Sequence, residues 1–192
     1  MGKEEVSSKR DVKSFVLRQG RLKKSQEEAL TLYSKEYVLP FKEEKIDFEE
    51  LFGNPNPVVI EIGFGMGSAT FQIAQARRDL NFLAIEVFLT GFAKLLNWVG
   101  QSELNNIRLI RFDAVEVLTS MIEDNSVAGF HIFFPDPWPK KRHHKRRLIQ
   151  PPFVELLTKK LKSGGYIYAV TDWQEYGEQI LEGLGGNSQL VN

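Results

Sequence analysis

The chain contains no cysteine. That excludes a disulfide framework and any thiolate metal site. It also lacks an apolar run near the ~20 residues that a helix needs to cross a bilayer. The opening MGKEEVSSKR has no apolar core of the kind a secretory signal requires. The cytoplasm is the expected location. Net charge is missing as well: 25 Lys and Arg stand against 25 Asp and Glu. Whole-chain electrostatics therefore neither favours nor disfavours a polyanionic partner, and only the distribution of charge can decide. No internal repeat or low-complexity tract occurs.

What is present is ordinary for one compact globular domain: 192 residues, 42% hydrophobic and 26% charged. The first stretch is basic up to Lys24, after which Ser25 with Glu28 three places on reads as a helix start. Gly, Asn and Pro in FGNPNP then break the chain just before VVIEI, so the core fold should begin at Val58. From there β-branched and apolar runs, VVIEI, FLAIEV, IRLIRF, AGFHIFF and YIYAVT, alternate with helix-like segments. Continuously apolar strands between amphipathic helices predict an α/β fold, a Rossmann-like doubly wound, mostly parallel sheet with helices on both faces. Residues 1–57 read as a basic arm and helix, and 58–192 as the sheet domain.

In such sheets ligands bind beyond the carboxyl ends of the strands. Acids recur there: Glu61 in the first strand, Glu86 after the second, Asp113 after the third, Asp136 after the fourth and Asp172 after the fifth. EIGFGMG places Gly63, Gly65 and Gly67 between the first strand and a helix, where glycines permit a tight turn and close approach of a ligand to the backbone. Ser68 stands where a dinucleotide fingerprint wants its third glycine, and no P-loop Gly-Lys-Ser/Thr follows. Glu86 is placed to accept hydrogen bonds from a ribose diol, or is a solvated strand-end acid. Asp113 is placed to orient an adenine amine and to cap the helix from Ala114, and the two roles are compatible.

A glycine turn followed by acids at the next two strand ends resembles the S-adenosylmethionine site of Rossmann-like methyltransferases. That resemblance implies Glu61 and the glycines at the methionine end, Glu86 at the ribose and Asp113 at the adenine. In FFPDPWPKKRHHKRR, Pro135, Pro137 and Pro139 exclude helix and hold Asp136 and Trp138 in a rigid loop at the rim. Lys140, Lys141, Arg142, Lys145, Arg146 and Arg147 follow at once, a cluster suited to phosphates. A charge run is in most proteins a solvated face, but this one adjoins the rigid loop. Adjacent His143 and His144 should diverge, so they read as polar contacts rather than a metal centre.

IEIGFGMGSAT, FLAIEV, RFDAVEVL, FFPDPWPKKRHHKRRLIQPPFVELLTKKLKSGG and TDW together resemble the bacterial tRNA (guanine-N7-)-methyltransferase family, and SFVLRQGRLKKSQ is similar to its N-terminal arm. The resemblance implies a class I methyltransferase that uses S-adenosylmethionine to methylate N7 of a variable-loop guanosine in tRNA. It implies donor contacts from Glu61, Gly63, Gly65, Gly67, Glu86, Asp113 and Asp136, with Asp136 also catalytic. It implies substrate or RNA contacts from Lys140, Arg142, His143, His144, Lys145, Arg146, Arg147 and Asp172, no metal, and a monomer or homodimer. The family continues into a Thr-x-x-Glu motif and closing antiparallel strands, whereas this chain stops at GLGGNSQLVN. A C-terminally truncated domain with an uncovered sheet edge is therefore expected. Three rival readings remain: an exocyclic-amine methyltransferase, a non-catalytic RNA-binding protein, and a nicotinamide oxidoreductase on the same fold.

Overall fold

The computed structural model describes residues 13–16 and 20–192. Most of the expected basic arm, residues 1–12 and 17–19, lies outside the described residues. Helix α1 (Lys24–Tyr37) is the first element among the described residues and the short α2 (Phe48–Phe52) follows. Five strands then alternate with helices: β1 (Val58–Ile62), α3 (Ser68–Ala76), β2 (Asn81–Ile85), α4 (Leu89–Gln101), β3 (Ile107–Ile110), α5 (Ala114–Met121) and β4 (Val127–Phe133). A 3-10 helix (Lys141–Arg146), α6 (Pro151–Lys160), β5 (Leu161–Val170) and α7 (Gln174–Gly185) complete the order.

The strands form one sheet in the order β3-β2-β1-β4-β5, every pair parallel. The chain winds outward from β1 to β3, crosses back, and winds outward again through β4 and β5, so the direction reverses between β1 and β4. A parallel sheet of this kind buries both faces, and alternation along each strand divides the core in two. Val58, Ile60 and Ile62 of β1 point with Phe130 and Ile132 toward α5, α6 and α7. Val59, with Phe82 and Ala84, points toward α1, α3 and α4. Phe82, Phe92 and Phe130 are each almost fully buried, and such a side chain contributes roughly 1.5–3 kcal/mol.

Three local differences from the sequence expectation have physical causes. Helix α1 is capped by Gln26 rather than by the Ser25–Glu28 pair. Gln26 Oε1 accepts from the Lys23 backbone N–H at 2.8 Å while its Nε2 donates to the Thr90 carbonyl at 2.8 Å. Only Gln26 faces inward to α4; Ser25 and Glu28 are exposed. Strand β5 starts at Leu161, well before Tyr166, because the segment Lys162–Gly165 bulges out between the pairs Val127–Leu161 and Gly129–Tyr166. Helix α7 is not marked by the strand-and-helix alternation, since glycines at 177, 183 and 185 lower its propensity, yet it buries Tyr176 and Ile180 against the core. Among the described residues β5 pairs with β4 alone and leaves its other edge free.

Candidate active site

The reversal between β1 and β4 opens a cavity of about 250 Å³ at the carboxyl ends of the strands. Gly63, Gly65, Glu86, Asp136, Pro135 and Phe134 line it, with Ile62, Ile85, Phe112 and Leu148 forming an apolar wall.

One side is the glycine turn. Gly63, Gly65 and Gly67 all have left-handed φ, at 74°, 56° and 76°, which L side chains adopt at a cost. A Cβ on Gly63 or Gly65 would meet nothing within 4 Å, so both glycines leave free room in front of their backbone. Gly67 is packed instead: a Cβ there would lie 2.7 Å from Leu95 Cβ. The turn rests on Gly91 of α4, where an added Cβ would come within 1.8 Å of the Gly65 carbonyl oxygen. Sequence reasoning passed over Gly91; its only signal is a glycine early in the helix that follows Glu86.

Glu86 locks this turn to the end of β2. Its Oε2 accepts from the Gly65 N–H at 2.7 Å, and its Oε1 accepts from Val87 and Phe88 N–H groups at 2.7 and 3.0 Å. Burial raises its pKa, the three backbone donors oppose that rise, and the charge of Asp136 adds to it. Oε1 is thereby filled, and Oε2, with one hydrogen bond, keeps acceptor capacity. Glu61 sits behind the turn, 2% exposed. Its Oε1 accepts the Thr70 hydroxyl at 3.0 Å, and its Oε2 has no partner among the described residues. Burial pushes its pKa up from 4.5 to about 7, against the Thr70 hydrogen bond and with help from Glu86.

Asp113 does what its position before α5 suggests: Oδ1 caps the helix by accepting from the Val115 N–H at 2.9 Å. Its Oδ2 receives the Lys13 ammonium at 2.8 Å, and the same ammonium reaches Glu116 Oε1 at 2.6 Å. The two carboxylates raise the Lys13 pKa strongly. Ser14 and Phe15, next along the arm, line the cavity itself. The basic arm carries no sequence signal for that placement, because the contact spans about a hundred residues.

The opposite side is the proline loop. Phe134 and Trp138 flank Asp136 with φ of 50° and 45°, conformations that cost about 1–3 kcal/mol each for such residues. The Phe134 N–H donates to the Val170 carbonyl at 2.7 Å. Trp138 Nε1 donates to the Ser14 carbonyl at 3.1 Å, and its ring lies 4.3 Å beneath the Arg146 guanidinium. Arg146 Nη2 also donates to the Phe15 carbonyl at 3.0 Å. Asp136 is exposed and faces the cavity from this loop.

Lys140, Lys141, Arg142 and Lys145 are exposed along the 3-10 helix. His143 and His144 are half-buried, and His143 packs edge-on against Trp138 at 5.9 Å. Desolvation, followed by the cations Arg142, Lys140, Arg146 and Lys145, lowers the His143 pKa. Arg147 is not on this surface at all: it is 3% exposed. Asp172 is exposed in a groove with Trp173 and Glu175 and does not line the cavity. The cavity thus brings together Gly63, Gly65, Glu86 and Asp136. Asp113 lines an adjoining groove with Lys145 and Arg146, while Glu61 and Gly67 support the turn from behind.

Comparison with known proteins follows the same outline. A family model described as "Putative methyltransferase" matches residues 55–192. A tRNA (guanine-N(7)-)-methyltransferase of Chromobacterium violaceum is 51% identical over 189 residues, 98% of this chain and 84% of that protein. Another, of Methylobacillus flagellatus, is 50% identical over all of this chain and 81% of its own length. Among solved structures, an antibiotic-related methyltransferase superposes with TM-score 0.54 at 15% identity, covering 77% of this chain and 76% of its own. A SAM-dependent O-methyltransferase from Thermotoga maritima superposes with TM-score 0.52 at 15% identity, covering 74% of this chain and 51% of its own. At those identities the likeness is one of fold: a class I methyltransferase sheet.

Proposed function

The chain belongs to the tRNA (guanine-N(7)-)-methyltransferase family, and from that premise we propose that it transfers a methyl group from S-adenosylmethionine to N7 of a variable-loop guanine in tRNA. The observation that carries the reading is one cavity with an open glycine cradle and Glu86 on one wall and Asp136 on the other, beside a row of exposed cations.

The residues fit the donor. Gly63 and Gly65 leave space against their backbone, Glu86 Oε2 has acceptor capacity for a ribose hydroxyl, and Asp113 is assigned to the adenine side. Glu61 Oε2, without a partner among the described residues, adds a buried polar atom behind the methionine end. When bound, the donor supplies an electrophilic methyl group on a sulfonium. Guanine N7 carries an in-plane lone pair and no proton, so it needs no base to become a nucleophile. Catalysis is then chiefly positioning. Asp136, held at the rim, orients the guanine by accepting from its N–H groups. Its charge stabilises the cation that develops as the methyl leaves sulfur.

Lys140, Arg142, Lys145 and Arg146 meet phosphates near the target, with His143 and His144 as neighbouring polar contacts and Asp172 as a more distant substrate contact. Such a patch binds largely by counterion release, so affinity should fall steeply with salt. No helix among the described residues is long and apolar enough to cross a membrane, and a tRNA substrate sets the reaction in the cytoplasm.

The test is incubation with methyl-labelled donor and unmodified tRNA, followed by digestion to nucleosides. Label in 7-methylguanosine is expected. Label in an N-methylated exocyclic amine would replace the nucleophile, and binding without label would leave an RNA-binding protein.

A further inference from the structure

We infer that Arg147 is a positioning residue for Asp136, acting through the Pro137 carbonyl, and not one of the cations that meet RNA. This rests on the methyltransferase reading above. Arg147 stands in a basic run that looks uniform, yet its side chain is 2% exposed. Its guanidinium is consumed inside the protein. Nε donates to the Pro137 carbonyl at 2.8 Å, and Nη1 donates to Gln179 Oε1 at 2.6 Å. Nη2 lies 3.1 Å from His144 Nε2 and 3.5 Å from Glu175 Oε1. The plane lies 5.0 Å from the Tyr176 ring centre, and the buried Tyr176 hydroxyl in turn accepts from the Ile149 N–H at 3.0 Å.

The loop needs such an anchor. Pro135, Pro137 and Pro139 have no backbone N–H, so at alternate positions the loop can donate nothing to hold itself down. Phe134 N–H and the Trp138 indole hold its ends to the Val170 and Ser14 carbonyls, and between them the Pro137 carbonyl takes a donor from outside the loop. Phe134 and Trp138 have left-handed backbones on either side of Asp136, so the loop would relax to another path if released. Arg147 supplies the donor next to Asp136, and Gln179, Glu175 and Tyr176 fix that donor to α7. Helix α7 contributes nothing to the cavity lining, yet through Arg147 it sets where the carboxylate stands.

A lysine keeps the charge but not the planar fork that spans Pro137 and Gln179 at once. Arg147→Lys therefore separates the two roles. A phosphate contact would survive it; a positioning fork would not. We expect kcat to fall at least about tenfold, with the Kd for S-adenosylhomocysteine, the Kd for tRNA and the salt dependence of tRNA binding all within about twofold of wild type. Gln179→Met, which leaves Arg147 in place and removes its partner on α7, should lower kcat in the same direction by about threefold. Lys145→Ala should instead weaken tRNA binding and make its salt slope shallower by about 0.7–0.9.

Wild-type kcat in Arg147→Lys would overturn the proposal, as would a loss confined to tRNA affinity. Should Arg147→Lys fail to fold, an unchanged kcat in Gln179→Met overturns it alone. If the wild-type chain methylates no tRNA, the functional reading fails instead. The anchor is then read by hydrogen exchange across residues 133–147: faster exchange in Arg147→Lys or Gln179→Met supports it, and exchange equal to wild type overturns it.

Discussion

The two walls of the cavity stand on the same rim of one sheet and are held in opposite ways. The donor wall anchors itself. The turn after β1 bends at three glycines, and one carboxylate a strand away, Glu86, gathers three backbone N–H groups to fix it. The acceptor wall, Phe134–Lys140, has alternate residues that cannot donate and two aromatic residues in left-handed conformations. Groups outside the loop hold it: the Val170 carbonyl, the Ser14 carbonyl and the Arg147 side chain. An externally anchored wall links the position of Asp136 to parts of the chain that do not line the cavity.

The largest separation of the walls should come from Asp136→Asn. Donor binding and thermal stability should match wild type, while kcat falls about 100-fold, the scale of losing one electrostatic contact to a developing charge. An equal loss of donor affinity would show that the walls are not independent. Glu86→Gln should give the mirror image, with donor Kd about tenfold weaker by calorimetry as charge-assisted bonds are lost and kcat at saturating donor within about threefold.

Gly91→Ala tests how far the donor wall depends on packing. The new Cβ would collide with the Gly65 carbonyl, so the turn must shift. A loss of about 1–3 kcal/mol in denaturant unfolding, with weaker donor binding and unaltered tRNA affinity, is expected.

A smaller effect is pH-dependent. Glu61 carries a folded pKa of about 7 against an ordinary 4.5, so the folded state holds a proton that the unfolded state has released between those values. Its contribution to stability is therefore greatest at low pH and declines as pH rises from about 4.5 to about 7, by up to about 3 kcal/mol. The difference in melting temperature between wild type and Glu61→Gln should grow across that window in favour of the variant. A flat difference would mean that Glu61 is ionised throughout. The smallest change should follow Lys13→Ala. This partly exposed pair is worth about 0–1 kcal/mol, so freeing Asp113 should tighten donor binding by less than about fivefold, as titration calorimetry would read.

The same contrast explains what the sequence made legible. VVIEI is β1 residue for residue, the glycine turn and Glu86 stand at their expected strand ends, and Asp113 caps α5. Those features are encoded within a few neighbouring residues. Arg147 cannot be told from Arg146 or Lys145 by type, since only burial against Tyr176 and α7 distinguishes it. Gly91 and the Lys13–Asp113 contact were missed for the same reason: each matters through a partner distant in sequence. Strand β5 began early because Lys162–Gly165, which reads as a turn, bulges within a strand already paired at Leu161.

In the proposed reaction both walls serve one atom of the substrate, guanine N7, so the most direct measurement is chemical. Unmodified tRNA is incubated with this chain and methyl-labelled S-adenosylmethionine, treated with borohydride and aniline, and resolved by length. Cleavage at a single variable-loop position is the predicted result, since only N7-methylguanosine opens under that treatment. RNA that has taken up methyl label yet stays intact would contradict the assignment of N7 as the nucleophile presented to Asp136.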